Sequence, residues 1–142
     1  MEFNTLISKI EQYVLDFFSR GSCREFCYHN ESHTYAVVSA VKEMSFHYEL
    51  AEEDQFVLIA AAYFHDLGYA EGGSVRHESR GAQMAADYLQ KENVNPLLVE
   101  KIKNCILATR MPQEPHNLLE QILCDADLFH LGSPEFLERN KL

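Results

Sequence analysis

The stretch Phe56-Val57-Leu58-Ile59-Ala60-Ala61-Ala62-Tyr63-Phe64-His65-Asp66-Leu67-Gly68 decides how this chain is read. From Phe56 to Phe64 it is almost wholly apolar, and a helix that is apolar all round is one buried all round. Glu52, Glu53 and Asp54 precede it, placing negative charge where the positive end of a helix dipole stabilises it. Gly68 is suited to a left-handed cap and begins a loop holding Gly72, Gly73 and Ser74. A histidine and an aspartate therefore stand at the inner end of a core helix.

Helical periodicity continues on both sides of this segment. Phe3, Leu6, Ile7, Ile10, Val14, Phe17 and Phe18 recur at intervals of three and four, and Gly21 closes that first helix. A second helix is expected from about Asn30 to Tyr48, directly after Tyr28-His29-Asn30, with Val37, Ala40, Val41 and Met44 in one stripe and Glu43 and Ser45 off it. Ala82, Ala85, Ala86 and Leu89 mark another helix. Asn95-Pro96 supplies a cap and a first-turn proline ahead of Leu98, Ile102 and Ile106. The segment Met111 to Pro115 interrupts, Leu118 to Leu131 resumes, and Ser133-Pro134 opens a last helix that stops abruptly at Leu142, which reads as a short or truncated C-terminus. No alternating strand pattern, repeat or low-complexity linker intervenes. The expected fold is all-α: one compact domain over residues 1–142, a bundle of six to seven helices.

Composition narrows the function. At 142 residues and 46% hydrophobic content the chain buries a core without disulfides. Cys23, Cys27, Cys105 and Cys124 are scattered with no CxxC pair, so they read as small core or surface residues in a reducing compartment. The net charge of −10 repels a nucleic-acid backbone, and no basic patch overrides it. No apolar run reaches the ~20 residues of a membrane span, and Met1 is followed by an amphipathic pattern instead of a leader. A cytoplasmic protein without nucleic-acid or membrane partners is expected. An anionic substrate would be held by a metal and a few placed cations against the overall field.

Four residues that are potential metal ligands lie far apart: His33 early in the second helix, His65 and Asp66 after the third, and Asp127 near the end of the chain. Helical bundles build metal sites from inward-facing side chains on separate helices, and imidazole with carboxylate suits Mn, Fe, Co, Ni or Zn. Residues one apart on a helix point roughly 100° away from each other, so His65 and Asp66 share a cation only if it sits between them near the helix end. Asp125 and Asp127 point to nearly opposite sides, so at most one contributes, the other capping or supporting.

The ordered pattern Tyr28-His29-Asn30-x-x-His33-Thr34, His65-Asp66-x-Gly68-Tyr69, His77-Glu78-Ser79 and Asp125-Ala126-Asp127-Leu128 resembles the HD (His-Asp) superfamily of metal-dependent phosphohydrolases, from Tyr28 to about Gly132. The resemblance implies an all-α bundle, His33, His65, Asp66 and Asp127 as metal ligands, and a divalent transition metal, with Mg also admissible. It implies hydrolysis of a nucleotide or other small phosphate by a metal-activated water. In that scheme Asp66 and His77 are catalytic, with His77 binding phosphate, protonating the leaving group or joining a second metal, and Arg76, Arg80 and Arg110 are candidates to bind the substrate. Two departures stand out. Where two-metal relatives supply a further histidine, this chain reads Ala108-Thr109-Arg110, which disfavours a full second site and two-iron oxidative chemistry. Where alarmone-hydrolysing relatives place an acidic pair, it has Gly68-Tyr69-Ala70-Glu71, with one acid.

His29 and His33 also have the spacing of a helical zinc pair, but the segment reads His-Asn-Glu-Ser-His and lacks the glutamate a zincin needs directly after its first histidine. Cys23 and Cys27 share that spacing without a second pair. His47, His116 and His130 have no convergent partner in the pattern, although His116 could rim a pocket. The competing functional reading is a metal- or nucleotide-binding module of the same fold that does not turn over.

Overall fold

The computed structural model describes residues 2–20, 24–68, 77–110 and 112–128, with only the backbone of 24–30. Among them are helices α1 (Phe3–Ser19), α2 (Arg24–His47), α3 (Glu52–Phe64), α4 (His77–Lys91), α5 (Pro96–Ala108) and α6 (Leu118–Leu128), and no strand. The fold is all-α, and α3 is its axis: every residue from Phe56 to Phe64 is buried, and α3 packs against each of the other helices. A helix enclosed this way has no face left for polar side chains, which is why its sequence is continuously apolar. Phe3 stacks on Phe56 with ring centroids 4.7 Å apart, and Tyr13 lies 4.6 Å from Tyr88, so α1 ties α3 to α4.

The interval between α4 and α5 follows the local chemistry. Asn95 accepts a hydrogen bond from the Leu97 backbone N–H at 2.9 Å, and Pro96 takes a position whose N–H has no helical partner. Asn93 sits at φ 60°, a conformation its short polar side chain tolerates, and ends α4. Glu49 takes the equivalent place after α2 at φ 54°, with the Leu50 N–H bonded back to the Ser45 carbonyl at 3.0 Å.

Three expectations are corrected. Helix α2 begins at Arg24, not near Asn30, because no Gly or Pro between Arg24 and Asn30 stops the helix from extending backwards. Ser45 is buried, 1% exposed, because α2 is covered by α1, α3 and α6 together, which widens its inner face beyond the stripe of Val37, Ala40, Val41 and Met44. Gly68 does not adopt a left-handed conformation. Its missing side chain serves close approach: a Cβ there would collide with the His77 carbonyl. Gly81 does the same one turn on, where a Cβ would lie 2.7 Å from the Phe64 carbonyl oxygen. Helix α4 thereby rests on the backbone that carries His65 and Asp66. The turn at Gly21, the glycine loop, Met111 and the segment after Leu128, including the helix expected at Pro134, lie outside the described residues.

Candidate metal centre

Three helices deliver the four residues of the site. His33 projects from α2, His65 and Asp66 form the turn at the end of α3, and Asp127 lies next to the last residue of α6. One ligand atom from each of these four residues lies within 4.8 Å of every other. His33 Nε2 is 2.8 Å from Asp127 Oδ1 and 3.6 Å from Asp66 Oδ2. His65 Nε2 is 3.1 Å from the same Asp127 oxygen and 3.3 Å from the same Asp66 oxygen. Atoms bonded to a common cation at ~2.1 Å stand about 3 Å apart when adjacent and about 4 Å apart when opposed. The observed spacings fit that geometry.

The chemistry of the donor set agrees. His65 is fully buried, and its Nδ1–H donates to the Ala62 carbonyl at 2.6 Å. A carbonyl only accepts, so the proton is fixed on Nδ1 and the Nε2 lone pair points at the carboxylates. Two oxygens and a lone pair facing one another are stable only around a positive charge, whether a cation or a proton. In the metal-free protein a proton plays that part. Burial pushes the pKa of His65 down, but the charge of Asp66 and the hydrogen bonds of Asp127 and Asp66 outweigh it and raise it well above 6.5. Burial opposes ionisation of Asp66, yet the imidazolium of His65 and the hydrogen bond from His77 hold it well below the ordinary carboxylate range. Asp127, similarly desolvated, is lowered to about 2 by its hydrogen bonds to His33 and His65.

Around this cluster, His77 is the first residue of α4, with Nε2 3.3 Å from Asp66 Oδ1 and 2.9 Å from Glu78 Oε2. Asp66 therefore faces the paired imidazoles with one oxygen and His77 with the other. Arg80 donates from Nε to the Gly68 carbonyl at 3.1 Å, bracing the turn. Asp125 is not among the four converging residues and accepts from Gln121 at 3.3 Å. Arg110, with Pro112, Glu114, His116 and Glu120, lines a cleft of about 710 Å³ to which none of the four converging residues contributes. Arg76 and the side chains of Tyr28, His29 and Asn30 lie outside the described residues. Burial lifts Cys105 and Cys124 to about 12, so neither is a thiolate nucleophile at neutral pH.

Two residues of the site were not anticipated. Glu78, buried, pairs with His77; the His77-Glu78-Ser79 segment of the pattern contains it, but its role there had no sequence signal. Gln113, between α5 and α6, donates from Nε2 to Asp127 Oδ2 at 3.1 Å. An amide in an irregular segment has no periodicity, and nothing in the sequence marks it.

Comparison with known proteins places these residues in a family context. The family model for the HD domain matches residues 30–132, a span holding all four converging residues. Among solved structures, a predicted HD superfamily hydrolase from an uncultured Thermotogales bacterium is similar, with a TM-score of 0.70 and 25% identity, over 89% of this chain and 72% of that one. No curated protein matches.

Proposed function

The chain belongs to the HD-domain family, and on that premise we propose that it is a metal-dependent phosphohydrolase cleaving a nucleotide or another small phosphorylated compound, with water as nucleophile. The observation that carries this reading is the convergence of His33, His65, Asp66 and Asp127 on one point, with His65 oriented by a backbone carbonyl. A bound divalent cation of the Mn, Fe, Co, Ni or Zn type, or Mg, would acidify water and offset the charge of phosphoryl oxygens.

The protein's own groups supply the rest. His33 and His65 would each offer a ring nitrogen to the cation, His65 after giving up its proton, and Asp66 and Asp127 would offset the cation's charge. Asp66 reaches both halves of the site, so it is the residue through which the cation and His77 sense each other. His77, flanked by Asp66 and Glu78, holds a proton at Nε2 and passes it to the leaving oxygen, which is general acid catalysis. Arg76 and Arg80, near His77 in the chain, are assigned to the substrate phosphate. Arg110, on the 710 Å³ cleft, would meet a part of the substrate other than the reacting phosphoryl group.

The test is a phosphatase screen over nucleotides and sugar phosphates with Mn, Ni, Co and Mg, alongside His65→Ala and Asp66→Ala. Hydrolysis that disappears in both variants is the expected result. Activity surviving both would remove this site from the reaction, and a metal-loaded protein without turnover would leave a binding module.

A further inference from the structure

We propose that Gln113 is a positioning residue that holds Asp127 to a single donor oxygen; the inference rests on the metal-dependent reading above and deepens it. The argument begins with the backbone. Residues 113–116, between α5 and α6, belong to neither helix nor strand, and successive side chains in this segment serve different surroundings. Pro112, Glu114 and His116 line the 710 Å³ cleft, whereas Gln113 reaches Asp127.

The orientation of the amide is determined by its surroundings. Gln113 Nε2 is 3.1 Å from Asp127 Oδ2 and 3.4 Å from the Thr109 carbonyl oxygen. Both partners accept only, so the nitrogen, with its two hydrogens, must be the atom that faces them. The Thr109 end is itself anchored, because Thr109 is buried at 4% exposure and donates from Oγ1 to the Ile106 carbonyl at 2.6 Å. Gln113 thus links the end of α5 to the carboxylate on α6.

The two oxygens of Asp127 are consequently divided. Oδ1 faces both imidazoles, while Oδ2 is occupied by the Gln113 amide. A carboxylate held this way offers one oxygen to a cation, leaving coordination positions for water and a phosphoryl group, and its orientation is fixed before the cation arrives. Partners that orient ligands in this manner contribute about 10- to 100-fold in metal affinity.

The test measures Mn binding by calorimetry, with metal-free melting temperatures, for wild type, Gln113→Ala and Gln113→Met, the last retaining volume without the N–H. Both variants should lose about 10- to 100-fold in Mn affinity while their metal-free melting temperatures stay within about 3 °C of wild type. Wild-type affinity in Gln113→Met would overturn the assignment, since volume alone would then suffice. A melting temperature that falls in step with the affinity would overturn it too, by making Gln113 a structural residue. A wild-type protein that binds no Mn, Co, Ni or Zn would overturn the metal-dependent reading and this inference together, whereas tight wild-type binding matched by both variants would remove the inference alone.

Discussion

Asp127 Oδ1 lies 2.8 Å from His33 Nε2, although 94 positions separate the two residues in the chain. The contact joins α2 to the end of α6 and is made without a backbone link, so it depends on the hydrogen bond itself and on the packing of both helices against α3.

Replacing Asp127 with Asn keeps the shape and removes the charge. Mn affinity should fall by about 100-fold, since one of the two negative charges is lost and a neutral amide oxygen replaces a carboxylate donor. Calorimetric titration checks this, and affinity within a few-fold of wild type would show that Asp127 is not a ligand.

Protons and cations should compete for this cluster, and the two pH dependences run in opposite directions. The pKa of His65 is raised above 6.5 in the folded protein, so its contribution to metal-free stability is complete below that value and is lost as pH rises through the folded pKa. Asp127 is lowered from 3.8 to about 2, so its contribution is present above 3.8 and is lost as pH falls towards 2. Metal-free stability should therefore be highest between about pH 4 and 6.5. Mn affinity should climb beyond that window, because binding must expel the His65 proton. Thermal melts and titrations across pH check both, and an affinity that does not vary with pH would contradict the shared site.

Gly81→Ala should force α4 away from the Phe64 and His65 carbonyls. The overpacking costs about 1–3 kcal/mol, a fall in Tm of roughly 3–10 °C, and Mn binding should weaken as the turn shifts. A variant as stable as wild type would show that the helices can separate freely here.

Glu49→Gly should have the opposite effect. Glu49 is exposed and occupies φ 54°, where only glycine escapes steric cost. A gain of about 0.5–1 kcal/mol is expected, visible as a rise in Tm of a few degrees, with metal binding unchanged.

Much of this arrangement could be read from the amino acids because burial imposes composition. The uninterrupted apolar run of α3 follows from packing on every side, and that run leads directly to His65 and Asp66. Asn95-Pro96 was equally legible, since a cap and a first-turn proline are local chemistry. Features that depend on tertiary contact were not. The start of α2 has no breaker to mark it, Ser45 is covered only because several helices meet there, and Gly68 and Gly81 matter for what lies opposite them. Gln113 shows the limit most clearly: its partner is on another helix and its own segment has no period.

Side-chain exposure across the cluster is graded, from 34% at His33 through 19% at Asp127 and 10% at Asp66 to 0% at His65. Among the described residues, such a gradient puts the most accessible edge of the cluster at His33. Ion exchange would begin at the His33 side and finish at His65, so a chelator should strip the protein at a rate set by the opening of the outer imidazole, and His33→Ala should speed release far more than it alters the folded body.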